Sequence, residues 1–168
     1  LASSFALLGK KVLLVGLDIR KPKLQEYLSL SGGRGFTEYI SSDSISLESI
    51  IRRDAVMPGL DVITSGPVPP HPPDPRVDEL FAKLRGMYDY IIIDSAPVGI
   101  VSDTFALVRI SDATVYVCRV NYTTRHDVAT LNNLHATDRF RKLSVVVNGT
   151  KPRRTYGYGE EGVGKHRR

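Results

Sequence analysis

Five runs of branched apolar residues punctuate the chain: Val12 to Leu17, Leu60 to Thr64, Tyr90 to Asp94, Thr114 to Arg119 and Leu143 to Asn148. The first four lack polar alternation, the mark of strands buried on both faces in the middle of a parallel sheet. Between the runs the apolar spacing turns helical. Leu47, Ile50 and Ile51 form a stripe over 45–53, Val77, Leu80, Phe81 and Leu84 another over 76–86, and Val128, Leu131 and Leu134 a third over 125–137. Alternating strands and helices predict an α/β fold, with a mostly parallel sheet, helices on both faces and right-handed crossovers. Leu1 to Leu8 has helical character and leads through Gly9 straight into the first strand. A doubly wound domain ordinarily opens strand, turn, helix, so we expect the chain to begin inside its first helix, with the first strand and its turn lacking. Gly66 to Pro75 holds six prolines and is predicted to be loop. After Asn148 the apolar periodicity stops, which separates a domain over 1–150 from a flexible tail over 151–168.

Length and composition narrow the class. A chain of 168 residues fits one domain. With 42% hydrophobic and 24% charged residues it is neither disordered nor fibrous in composition. No apolar run approaches the roughly 18 residues that a bilayer requires, and no signal-peptide pattern is present. The single cysteine, Cys118, excludes an internal disulfide, suits a reducing compartment and reads as a core residue. The net charge of +5 is a property of the tail: residues 151–168 carry six basic and two acidic groups, leaving +1 for the rest. That distribution speaks against a nucleic-acid-binding face and leaves a cationic tail that can meet phosphates or an anionic membrane surface.

Two carboxylates end buried runs, Asp18 after Val12 to Leu17 and Asp94 after Tyr90 to Ile93. Such acids sit where open α/β sheets do their chemistry, and in nucleotide-hydrolysing proteins they hold Mg²⁺, often through water. Each could equally start a turn or cap a helix. Arg20, Lys21 and Lys23 make a basic turn that can neutralise phosphates, or a solvated loop. Asp103 precedes an apolar stretch that it could cap. Asn148 could read a base edge with its amide, or serve the turn that Asn-Gly favours. The four histidines lack metal-ligand spacing, no nucleophile elbow is present, and Gly32–Gly35 reads as a plain loop.

In order along the chain these pieces resemble the cytoplasmic kinase domain of the bacterial tyrosine kinases (BY-kinases) of capsule and exopolysaccharide synthesis. Lys11-Val12-Leu13-Leu14-Val15-Gly16-Leu17-Asp18-Ile19-Arg20-Lys21-Pro22 is similar to the family's second Walker motif, and Asp89-Tyr90-Ile91-Ile92-Ile93-Asp94-Ser95-Ala96-Pro97 to its Walker B. Ser65-Gly66-Pro67-Val68-Pro69-Pro70 resembles the family's proline loop, and Tyr156-Gly157-Tyr158 a short form of its tyrosine cluster. Asp103 and Arg119 fit as well.

The resemblance implies a P-loop NTPase fold of the MinD/ParA type and an ATP-dependent protein-tyrosine autokinase. Mg²⁺ and ATP are the implied cofactors. Asp94 would hold the metal through water, and Asp18 would bind metal or activate the acceptor hydroxyl. Arg20, Asp103 and Asn148 would contact nucleotide, and Tyr156 and Tyr158 of a neighbouring copy would accept phosphate. Implied partners are further copies of the chain, a membrane-spanning chain-length regulator and a phosphotyrosine phosphatase, at the inner face of the cell membrane and without nucleic acid. Three departures stand out. The Walker A loop is absent, Gly16 stands where the family usually has Asp, and His71-Pro72-Pro73 replaces Asn-Pro. We therefore expect the isolated chain to lack kinase activity. A catalytically silent interaction module and a partitioning-type ATPase are the alternatives.

Overall fold

The computed structural model describes residues 1–18, 21–30, 32–66, 75–96, 107–137, 140 and 142–151. Strand β1 (Val12–Gly16) runs parallel to β3 (Leu60–Ile63) on one side and to β4 (Tyr90–Asp94) on the other, while β2 (Arg52–Met57) closes the edge antiparallel to β3. The sheet order is β2-β3-β1-β4. Val12, Leu13 and Val15 are wholly buried, as are Val62 and Ile63, which is why a run without polar alternation is stable at this position.

Side chains alternate across the pleat, so each strand serves two layers. Leu13, Val15, Ile63, Ile91 and Ile93 meet Phe36, Tyr39 and Ile40 of α3 (Phe36–Ser41) and Leu80, Phe81 and Leu84 of α4 (Pro75–Arg85). Each fully buried aliphatic or aromatic side chain there contributes roughly 1.5–3 kcal/mol. On the opposite face Val12, Leu14, Leu60 and Ile92 lie under Ala2, Phe5 and Ala6 of α1 (Ala2–Leu7). The Phe5 ring stacks on Tyr90 with centroids 4.1 Å apart. The expected helices on both faces, and the mostly parallel sheet, are present. A further short helix, α2 (Lys23–Tyr27), follows β1 and buries no residue.

The remaining strands, β5 (Thr114–Arg119) and β6 (Leu143–Asn148), pair parallel in a separate two-stranded ladder. Their crossover is α5 (Arg125–Ala136), which starts at Thr124, whose hydroxyl accepts from the Asp127 N–H while the Asp127 carboxylate accepts from the Thr124 N–H. The expectation of complete burial fails for β4, none of whose residues is fully buried, and further for β5. Val115 and Val117 are 47% and 61% exposed, and Val145, Val146 and Val147 of β6 are comparable. Among the described residues the ladder has two strands and one crossover helix, which leaves apolar positions in water.

The stripe over 45–53 is not a helix. Ser46 to Ile50 form turns, held by Ser49 N–H to Ser46 O and Ile50 N–H to Leu47 O, and β2 begins at Arg52. Ile50 and Ile51 are buried as expected, but the spacing that mimics a helix comes from a turn abutting an edge strand. Asp54 lies at φ 47° where the β2–β3 register shifts, a bulge of the kind edge strands carry. No helix among the described residues is long and apolar enough to cross a membrane.

Candidate functional site

Strands β1 and β4 are in register, Val12 with Tyr90 through Gly16 with Asp94, and this registration brings the two candidate acids together. Asp94 ends β4, and the Leu17 N–H donates to its carbonyl at 2.7 Å, so Asp18 leaves the sheet directly beside it. Partial burial, and then the negative charge of Asp18, raise the Asp94 pKa above the ordinary carboxylate value. A group in that state favours a proton or a cation alongside it. The Asp18 Oδ1 accepts from the Lys21 N–H at 3.0 Å, so the turn-starting role weighed for Asp18 is present, and one carboxylate oxygen is committed to it. Lys21 and Lys23 are exposed next to this turn.

Among the described residues no group of three or more His, Cys, Asp or Glu could hold a metal. A pair of carboxylates is nevertheless the donor set that Mg²⁺ uses when it keeps several waters and takes the rest of its shell from phosphates. The residues present therefore fit a hydrated divalent cation at the Asp18–Asp94 edge.

The end of β3 adds polar groups that sequence reasoning missed. Thr64 and Ser65 are buried, and their carbonyls accept from the N–H groups of Phe36 and Thr37 at 2.8 and 2.9 Å, anchoring α3. The Glu38 carboxylate accepts from the Gly35 N–H at 2.7 Å. A Cβ on Gly35 would fall 2.4 Å from Thr64 O and 2.6 Å from Gly66 N. The glycine run is a loop as expected, and its last residue, Gly35, permits backbone contact at the strand end. The signal in the sequence was the Ser65-Gly66 pair at the head of the proline loop.

Gly16 has its own neighbour. A Cβ there would lie 2.9 Å from Leu24 Cδ2 and 3.7 Å from Ser65 N, so the place of a side chain is taken by Leu24 of α2. Asn148 ends β6, in the other ladder. Its Oδ1 accepts from the Gly149 N–H at 2.8 Å and Gly149 has φ 75°, which is the turn role. Arg20, Asp103, Tyr156 and Tyr158 lie outside the described residues, as does most of the proline loop.

A second polar cluster lies at the opposite end of the strands. Asp61, buried at the start of β3, accepts from Arg53 Nη1 at 2.8 Å, Tyr88 Oη at 2.7 Å and the Asp54 N–H at 2.8 Å. Burial alone would raise the Asp61 pKa, but these hydrogen bonds outweigh it and hold the carboxyl below its ordinary value. With three hydrogen bonds to its carboxylate answered from within, the cluster clasps β2, β3 and the entry to β4.

No protein-family model matches the chain. The chain is 32% identical to the tyrosine-protein kinase YwqD of Bacillus subtilis, over 97% of its own length and 70% of that protein. It is 35% identical to EpsB of Ralstonia nicotianae, a protein named as a candidate tyrosine-protein kinase, over 99% of its length but only 22% of EpsB. Its fold matches the VpsO kinase domain with a TM-score of 0.78 and 30% identity, covering 89% of this chain and 75% of that one. It also matches the septum site-determining protein MinD of Pyrococcus horikoshii, a complex with Mg-ADP, with a TM-score of 0.70, covering 95% of this chain and 63% of that one. At 18% identity the latter shows the shared fold alone.

Proposed function

Because this chain belongs to the bacterial tyrosine-protein kinases, we propose that it is the nucleotide-binding part of an ATP-dependent tyrosine autokinase acting in capsule or exopolysaccharide synthesis. The observation that carries the reading is the juxtaposition of Asp18 and Asp94 at the carboxyl ends of two adjacent parallel strands. Mg²⁺·ATP would supply the transferable phosphoryl group and the charge that offsets its negative oxygens. Asp94 binds the cation through water, and Asp18, fixed by its turn, binds it or accepts the proton of the incoming phenol. Arg20, with Lys21 and Lys23 beside it, steadies phosphates. Asp103 contacts the nucleotide, and so does Asn148 through its amide nitrogen, its Oδ1 being held by the Gly149 N–H. Rigid placement of these groups at strand ends supplies positioning, the main lever in phosphoryl transfer.

Residues 1–150 form the catalytic unit in this reading, and 151–168 the tail whose Tyr156 and Tyr158 are phosphorylated by a neighbouring copy. Further partners are a membrane-spanning chain-length regulator, which holds the kinase at the inner face of the membrane, and a phosphotyrosine phosphatase. The 168-residue chain by itself is inactive as a kinase. One observation favours a second reading. Gly16, covered by Leu24, leaves the site one carboxylate short of the family pattern, which suits a silent regulatory module.

The test is to incubate the intact protein with ATP and Mg²⁺ and map phosphotyrosine by mass spectrometry. Phosphate on Tyr156 or Tyr158, lost in Asp94→Asn, is the expected result. A folded, ATP-binding protein without phosphotyrosine overturns the kinase reading in favour of the silent module.

A further inference from the structure

Thr64 continues β3 by one residue, which sets it beside Gly16 just as Ile63 lies beside Val15. Gly16 in turn pairs with Asp94. With alternating side chains, Thr64, Gly16 and Asp94 form one row across three strands at the carboxyl edge, on the face that carries Leu14 and Ile92 one level below. The middle of the row has no side chain, and the space above it is roofed by the terminal methyl of Leu24. At one end of the row Thr64 is 1% exposed, and its Oγ1 has no hydrogen-bond partner. A buried hydroxyl in that state forfeits the hydrogen bonds that water gave it, and valine would fill the same volume without the loss. No other buried side-chain polar atom among the described residues is left so.

We infer that the Thr64 hydroxyl belongs to the cation site, where it holds a water of the hydrated ion that Asp94 and Asp18 bind. This rests on the reading of those two acids as the cation-binding pair. The spacing suits the task. Two strand separations place Thr64 and Asp94 on lines roughly 9–10 Å apart, a span that a divalent ion with one shell of water fills from partner to partner. Gly16 contributes no side chain of its own to that span. Leu24 reaches the opening with its terminal methyl and, at 3.5 Å from the place of a Gly16 Cβ, with its own Cβ; it sits on a short helix that buries no residue, and in this proposal it moves aside when the ion enters. Thr64 thus takes on part of what a carboxylate at position 16 would do, as a neutral donor and acceptor one strand away.

The experiment is a titration of the chain with Mn²⁺ alone, reading free Mn²⁺ by electron paramagnetic resonance, together with thermal melts. Thr64→Val is expected to weaken Mn²⁺ binding about tenfold, the scale of a lost outer-shell partner, while melting no lower than the parent. Thr64→Ser is expected to keep the affinity, and Leu24→Ala to tighten it by unroofing the site. Parental affinity in Thr64→Val, with binding lost in Asp94→Asn, overturns the role of Thr64 and leaves the carboxylate pair standing. No Mn²⁺ binding by the parent chain overturns both.

Discussion

The backbone N–H of Leu17 donates to the carbonyl oxygen of Asp94 across 2.7 Å, so the tips of β1 and β4 are tied together one residue before Asp18 departs. Two negative charges are held at one sheet edge by main-chain geometry, whatever their repulsion. A site assembled this way is strained electrostatically, and a cation beside it would relieve that strain.

Asp94→Asn should therefore stabilise the chain. The folded-state pKa of Asp94 lies above its unfolded value of 3.8, so its ionisation counts against folding. The penalty is absent below the unfolded pKa, grows as pH rises towards the folded pKa and stays constant above it. Thermal melts are expected to show Asp94→Asn slightly above the parent at pH 7 and level with it at pH 3. A lower melting temperature at pH 7 would contradict the electrostatic account.

Gly16→Asp is expected to be tolerated. The new Cβ meets the flexible end of Leu24 at 2.9 Å, with the Ser65 backbone no closer than 3.7 Å, so the steric part of the cost is about 1 kcal/mol, the low end for overpacking, to which repulsion from Asp18 and Asp94 adds when no cation is bound. A third carboxylate at the edge should tighten Mn²⁺ binding roughly tenfold, since charge count sets affinity in such sites. Paired melts and Mn²⁺ titrations check both halves.

Gly35→Ala is expected to be far more damaging. Its Cβ would strike Thr64 O, Gly66 N and Gly66 Cα, all within 2.9 Å and all backbone. Nothing there can rotate away, so the strand end must shift and α3 loses its anchor, at a cost of about 3 kcal/mol or more. In a domain of this size that corresponds to a fall in Tm of roughly 6–12 °C, readable by circular dichroism.

Asp61 governs the acid side of stability. Its pKa is held below 3.8, so its contribution is complete above that value and is lost as pH falls through the folded pKa. Asp61→Ala should cost about 3 kcal/mol at pH 7, because Arg53, Tyr88 and the Asp54 N–H all lose their acceptor. Tyr88→Phe, which removes one donor, should cost about 1–1.5 kcal/mol. The same cluster keeps the Tyr88 phenol protonated beyond its ordinary range, through burial and the Asp61 charge. Urea titrations at pH 7 and pH 3 separate the two variants.

What the sequence disclosed follows the range of the interactions involved. Asp18 and Asp94 were legible because an acid closing a Val/Ile/Leu run is a local pattern, and the strands around them fell within a residue of their observed ends. Strand β2 was not, because Leu47, Ile50 and Ile51 satisfy helical spacing while their burial comes from a turn packed under the sheet. Thr64 was invisible for a different reason. In sequence it is the last residue of a β-branched run, and only the pairing of β3 with β1 reveals that its neighbour is a glycine. The Asn148 amide shows the converse, since the turn reading available from Asn-Gly is the one its hydrogen bond supports.

The half-exposed valines of β5 and β6 make concentration a variable in each of these measurements. A ladder of exposed valines lowers its contact with water by meeting another such surface. Melting temperatures then drift with protein concentration, since association stabilises whatever state presents the ladder. Light scattering across a dilution series belongs beside each melt, and the dilute limit is where the variants differ by their own substitutions.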